Sequence, residues 1–462
     1  MNPPSLIESA RNDLAALKDP VIGPDDSGYD DARAVHNGMI DRHPAVIVRC
    51  SSADEVGRVI AFARAHDALI AVRGGGHNGA GLGIVDDGVV IDLSGIAEVV
   101  VDPDSETVRV GGGATWAEVD QATGEYGRAT PSGIISTTGV GGLTLGGGLG
   151  HLTRRFGLTI DSLLSADMVL ADGSQVHTSA EAHPDLFWAL RGGGGNFGVV
   201  TSFEFATHPV GATVMAGPTF WPVEQLPEVM RFYREFLPAA PREVNGFFAV
   251  MTVPPVDLFP EELHLRKVCA VVWCVLGSEE DATRLLAPVH EVGTPLLHGV
   301  GAMPLPALQS LFDGLYTKGL QCYWRADFVD ELSDELAEKH LEWAQKLPSM
   351  HSTMHLYPID GAVHDVGAEE TAFSYRDAQW AEVIFGVDPE PANADVIRDW
   401  CVGYWDATHP YSAGGAYVNF MMEEGQERVR ATYRGNYDRL ARVKAQYDPD
   451  NIFRVNQNIQ PA

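Results

Sequence analysis

Between Thr130 and Gly150 the chain reads TPSGIISTTGVGGLTLGGGLG, with eight glycines, and no regular helix or strand can run through all of it. Glycine brings no side chain to pack and loses the most backbone freedom on ordering, so such a stretch is kept where the main chain must pass close to something else. Two shorter runs accompany it, VRGGGHN at 72–78 and RGGGGNFG at 191–198. Three glycine segments within the first 200 residues point to backbone that cradles a ligand.

The surrounding sequence alternates short helices and strands. ADEVGRVIAFARA, 53–65, places Val56, Val59, Ile60 and Ala63 at helical spacing, and ALIAVR predicts a buried strand leading into the first glycine run. GVVIDLS, EVVVDP and TVRVGG are three short β-rich runs, 115–126 returns to helix, and VVTSFEFATHP predicts an alternating strand after the third glycine run. From about 212 to 410 the glycine runs stop. Helical SDELAEKHLEWAQKL alternates there with strand-like VCAVVWCVL, HSTMHLYPI and AEVIFGV, which predicts a second α+β domain. The tail predicts one helix over 425–447 and ends in YDPDNIFRVNQNIQPA. The partition expected is 1–210, 211–410 and 411–462.

With 32 Lys+Arg against 63 Asp+Glu the formal net charge is −31, which disfavours phosphate backbones and anionic lipid surfaces. No nucleic acid and no membrane are expected as partners. The first twenty residues carry acids and lack an apolar core followed by a cleavage site, so they do not read as a signal peptide; the longest apolar stretch, Val268–Leu276, is too short to span a bilayer. A cytoplasmic protein is expected. Cys50, Cys269, Cys274, Cys322 and Cys401 form no CxxC pair and read as buried free thiols. His351, His355 and His364 invite a metal reading, but two lie four apart on a predicted strand and need not converge, so no metal is expected.

Gly74, Gly76 and Gly79 fit G-x-G-x-x-G, as do Gly193, Gly195 and Gly198. The dinucleotide fingerprint requires a helix to open at that turn, and both matches here continue as predicted strands. What remains is a set of loops whose exposed N–H groups can hold a pyrophosphate without a helix dipole.

VRGGGHN, STTGVGGLTLGGGLG (136–150), DLFWALRGGGGNFGVVTSFEF (185–205) and YDPDNIFRVNQNI (447–459) together resemble the berberine bridge enzyme-like flavoproteins, within the vanillyl-alcohol oxidase and p-cresol methylhydroxylase type of FAD-linked oxidases. The resemblance implies an α+β protein: a two-part FAD-binding domain, 1–210 completed by 411–462, and an inserted α+β substrate domain, 211–410, whose antiparallel sheet roofs the flavin. It implies that the backbone of Arg73, Gly74, Gly75, Gly76, His77 and Asn78 holds the pyrophosphate and that His77 bonds covalently to the flavin 8α-methyl carbon. A neutral imidazole nitrogen is a competent nucleophile near neutral pH. Thr138, Gly139 and Gly142 are implied contacts in the long glycine segment, Val200 on the adenine side, and Asn419, Asn456 and Gln457 in the C-terminal part. Many relatives add a second flavin bond from a Cys where this chain has Ile135, so attachment here is expected to be monocovalent.

On the substrate side the resemblance points to Tyr417, in AYVNF, as a catalytic tyrosine over the flavin, and to Glu382, in WAEVIF, as a second candidate; the relatives' commonest acidic position falls at Ile384, on the face Glu382 shares. Arg376 reads as structural. The function expected is an FAD-dependent oxidase that takes hydride from an alcohol, amine or activated C–H group of a small molecule and passes the electrons to oxygen as hydrogen peroxide. A flavin dehydrogenase with a quinone or protein acceptor and a non-catalytic flavin carrier are the alternatives. The resemblance implies that bulk in the loop bordering the flavin tunes oxygen access, and the modest Thr138 there favours oxygen.

Overall fold

In the computed structural model, which describes residues 5–462, the first layer forms around the helix Ala53–Ala65. Ser52 caps it by accepting from the Glu55 N–H, and Val56, Val59, Ile60 and Ala63 are buried. They pack on a parallel sheet of Val46–Arg49, Val89–Asp92 and Ile70–Arg73, in that spatial order. Parallel strands covered on both faces read as continuous β-branched runs, which is why VIVR, IAVR and VVID do not alternate.

A five-stranded antiparallel sheet follows, ordered Val99–Asp102, Thr107–Gly111, Val199–Ala206, Leu163–Val169 and Gln175–Ser179. Its central strand Val199–Ala206 alternates as VVTSFEFA requires, sending Phe203 and Phe205 into the core. Within the glycine-rich segment only Val140–Gly146 is helical.

Between Val214 and Asp388 the chain builds an antiparallel sheet ordered Leu297–His298, Val214–Pro222, Lys267–Val275, Val244–Thr252, Thr353–Pro358, Trp380–Asp388 and Gln321–Val329, with Gly301–Met303 beside Val214–Pro222. The helices Leu226–Ala239, Asp334–Ala344 and Ala394–Thr408 cover one face through Tyr233, Leu336, Trp400 and Tyr404. The other face, with Tyr357, Ala381 and Val383, meets the glycine segments through Ile134, Leu149 and Tyr417.

The last fifty residues return to the core of the N-terminal half: Val429, Tyr433, Tyr437, Leu440 and Ile459 share a cluster with Val110, Phe203 and Phe205. The single helix expected over 425–447 is two, Gln426–Tyr433 and Tyr437–Tyr447. They are separated at Arg434, whose positive φ of 45° is incompatible with a continuing helix. Periodicity runs on across that break, so the sequence pattern alone does not reveal it.

Candidate active site

The strand Ile70–Arg73 delivers the first glycine run. Arg73 folds back to pair with Asp92 at 2.8 Å, both buried, which anchors the start of the loop. Gly76 has φ 71°, a left-handed turn suited to glycine. The loop lies against the long glycine segment: a Cβ on Gly139 would stand 2.3 Å from the Gly75 nitrogen, and one on Gly75 2.4 Å from the Gly139 nitrogen. Both matches to G-x-G-x-x-G lack a following helix, and the second feeds the strand Val199–Ala206 directly.

These loops wall a cavity of about 370 Å³ under the open face of the large sheet. Arg73, Gly74, Gly75, Gly76, His77, Asn78, Thr138, Gly139, Gly142, Val200, Asn419, Asn456, Gln457 and Tyr417 all line it. Ile135 lines it as well, where an aliphatic side chain offers no nucleophile. Asn456 donates to the Gly195 and Phe453 carbonyls at 3.2 and 3.0 Å, and Gln457 to that of Met422 at 2.9 Å. Their amide groups therefore tie the C-terminal segment to the cavity wall.

His77 is held by two residues that its motif does not reveal. Its Nε2 lies 3.0 Å from the Thr137 hydroxyl, and its ring stacks on His36 with centroids 3.9 Å apart and planes 22° from parallel. Desolvation lowers the His77 pKa to about 3, helped by His36. Burial and the nearby Lys318 charge lower that of His36 to about 4. Both rings are neutral at physiological pH.

On the roof, Tyr417 accepts hydrogen bonds from the Gly148 N–H at 2.8 Å and from Asn419 Nδ2 at 2.7 Å. With two donors on its oxygen, the hydroxyl is left its own proton to offer. Burial pushes the phenol above its ordinary pKa despite those donors, so it is neutral. Next to it on the strand Thr353–Pro358, His355 Nδ1 and the Tyr357 hydroxyl are 2.8 Å apart, and both residues line the cavity. Burial lowers the His355 pKa to about 3. Tyr316, Trp324, Val383, Phe385 and Phe420 complete an aromatic roof.

Glu382 is not part of this site. Strand residues alternate between faces, and Val383 and Phe385 take the cavity side, so Glu382 and Ile384 point to the helices. Glu382 is buried beside Thr408 at 3.5 Å and His340 at 4.0 Å. Burial, then the Asp327 charge, raises its pKa to about 8. Arg376 pairs with Asp161 at 2.7 Å in the interior. His351 and His364 contact the Leu315 and Ala378 carbonyls and do not meet His355. Among the described residues no cluster of three or more His, Cys, Asp or Glu could hold a metal.

The cavity fits a flavin dinucleotide. A Cβ on Gly142 or Gly195 would meet no protein atom within 4 Å, so these glycines border open space and not packed protein. Arg73 Nη1, Trp324 Nε1, Tyr433 OH and Asn456 Oδ1 are buried on its walls without hydrogen-bond partners, and such groups are costly unless a ligand satisfies them.

Comparison with known proteins agrees with this site. A family model for an FAD binding domain matches residues 44–179, and one described as berberine and berberine like matches 416–460. The FAD-linked oxidoreductase YgaK of Bacillus subtilis is 30% identical over 448 residues, covering 96% of each chain. The crystal structure of 6-hydroxy-D-nicotine oxidase from Arthrobacter nicotinovorans superposes with TM-score 0.84 at 25% identity, covering 97% of this chain and 99% of that one. A glucooligosaccharide oxidase from Acremonium strictum gives TM-score 0.86 at 24% identity, covering 98% and 99%.

Fold and site define an FAD-binding oxidoreductase. The chain belongs to the berberine bridge enzyme-like family of FAD-linked oxidoreductases.

Proposed function

We propose that this enzyme is an oxidase that carries FAD covalently bound through His77, takes hydride from an alcohol, amine or activated C–H group of a small molecule, and reduces oxygen to hydrogen peroxide. The observation that carries the reading is the convergence of every expected flavin contact, from three separate glycine segments and the C-terminal tail, on one cavity beneath an aromatic roof. The glucooligosaccharide oxidase noted above is described as having a 6-S-cysteinyl, 8α-N1-histidyl FAD, which supports attachment at a histidine; Ile135 leaves no cysteine to form the second bond.

Arg73 to Asn78, Thr138, Gly139, Gly142 and Val200 would hold the cofactor from one side and Asn419, Asn456 and Gln457 from the other. Bound FAD supplies the two-electron acceptor and the route to oxygen. Tyr417 donates its hydroxyl proton to the substrate oxygen or nitrogen and so orients the reacting C–H. The Tyr357 hydroxyl, bonded to neutral His355, receives the substrate proton and relays it to the imidazole. A weak base suffices because the substrate hydroxyl acidifies steeply as hydride departs. The aromatic roof excludes water from that transfer.

An anaerobic screen of alcohols and amines that follows loss of flavin absorbance tests the reading without assuming an acceptor. Bleaching by one class, followed on admission of air by rapid return of colour with stoichiometric peroxide, is the expected result. Reoxidation slower than turnover with an artificial quinone would replace the oxidase by a dehydrogenase, and no bleaching by any class would leave a flavin carrier.

A further inference from the structure

Nothing in the VRGGGHN motif predicts how the His77 ring is oriented, and two residues distant in sequence settle it. Thr137 comes from the long glycine segment and touches Nε2 at 3.0 Å; His36 comes from the N-terminal region and lies flat against the ring at 3.9 Å. The Gly75–Gly139 contact fixes the separation of the two loops that carry His77 and Thr137. Thr137 meets the imidazole through its hydroxyl, at Nε2, and through its backbone.

We infer that Thr137 and His36 are positioning residues for flavin attachment: Thr137 accepts a hydrogen bond from Nε2–H, which leaves the lone pair on Nδ1, and the His36 ring holds the imidazole plane so that this lone pair meets the flavin 8α carbon. The inference rests on the covalent reading above. A ring nitrogen's tautomer is set by the bond the other nitrogen makes. In the reaction a C–H bond of the 8α-methyl breaks and a bond from Nδ1 to that carbon forms. One proton leaves the methyl group and one leaves Nε2 past the Thr137 oxygen. The electron pair of the broken bond passes by way of the flavin to dioxygen, which takes up both protons as hydrogen peroxide. His36 stays neutral beside Lys318 and contributes shape, not charge.

The test uses the full-length chain purified with its flavin and incubated in air with added FAD. Total bound flavin is read from absorbance, and the attached fraction from what stays with the protein after acid precipitation. Thr137 is exposed, so its replacement leaves the fold intact. Thr137→Val is expected to slow attachment at least tenfold with total FAD binding within twofold of wild type, and Thr137→Ser to restore it. His36→Phe is expected to keep the stack and the rate, and His36→Ala to slow it. Attachment at the wild-type rate in both Thr137→Val and His36→Ala overturns this inference alone. Wild-type protein that binds FAD and never attaches it overturns the covalent reading and this inference with it.

Discussion

The Lys444 ammonium and the Asp448 carboxylate, one helical turn apart, meet at 2.5 Å with neither side chain reaching solvent. Lys444 also donates to the carbonyls of Asn196 and Phe453, and Asp448 accepts from the N–H groups of Ile452 and Phe453. The pair thereby ties the YDPDNIF turn to the third glycine run, and so places Asn456 and Gln457 on the cavity.

Removing one partner strands the other charge in the interior. Lys444→Met is expected to destabilise the protein by about 3–5 kcal/mol and to lower the flavin content of purified protein. Thermal unfolding and the ratio of flavin to protein absorbance measure both, and a variant equal to wild type in each would remove the anchoring role.

The Gly75–Gly139 contact leaves no room for a methyl group on either residue. Gly139→Ala is expected to cost about 1–3 kcal/mol through overpacking, with a lower ratio of flavin to protein absorbance in the purified variant. Gly142→Ala points into the cavity without a clash against protein, so it should lower FAD binding while leaving the melting temperature of the flavin-free fraction unchanged.

Tyr417 and Glu382 separate in kinetics. Tyr417→Phe deletes the hydroxyl that Gly148 and Asn419 orient, and a lost substrate hydrogen bond of about 1–3 kcal/mol slows anaerobic flavin reduction about 10- to 100-fold. Glu382→Gln lies on the opposite face of its strand and should reduce at the wild-type rate. Stopped-flow reduction with the substrate found by the screen measures both, and the reverse ranking would return Glu382 to the chemistry.

Glu382 should instead appear in the pH dependence of stability. Its folded pKa, raised to about 8 by burial and Asp327, exceeds the ordinary carboxylate value, so between about pH 4.5 and 8 the folded state binds more protons than the unfolded one. Stability from this group is therefore present at low pH and declines as pH rises through that window. Facing it are Asp327, His340, Thr408 and Tyr404; His340 is held neutral with a pKa near 3. Glu382→Gln is expected to match wild type in melting temperature at pH 5 and to exceed it at pH 8. Parallel curves at both pH values would contradict the assignment.

The flavin side of the site was legible because its requirements are local: glycines where backbones touch, a histidine after them, amides in the tail. The substrate side was not. WAEVIFGV is apolar on both faces because helices cover one and the cavity roof the other, so nothing in the run says whether Glu382 or Val383 faces the flavin. The spacing of His355 and Tyr357, two apart on a strand, is the signal the sequence offers for a shared face, but alternation alone does not say that this face is the cavity side. His36 and Thr137 reach His77 only through long-range packing that no local pattern encodes.

Peptide mapping of the purified, acid-precipitated protein is the most direct measurement of the central claim. Flavin should remain with the polypeptide at one site, the peptide containing His77, and His77→Ala should release all of it into the supernatant while the native variant still binds FAD. Wild-type protein whose flavin is wholly released by acid, or is attached at a residue other than His77, would contradict the account.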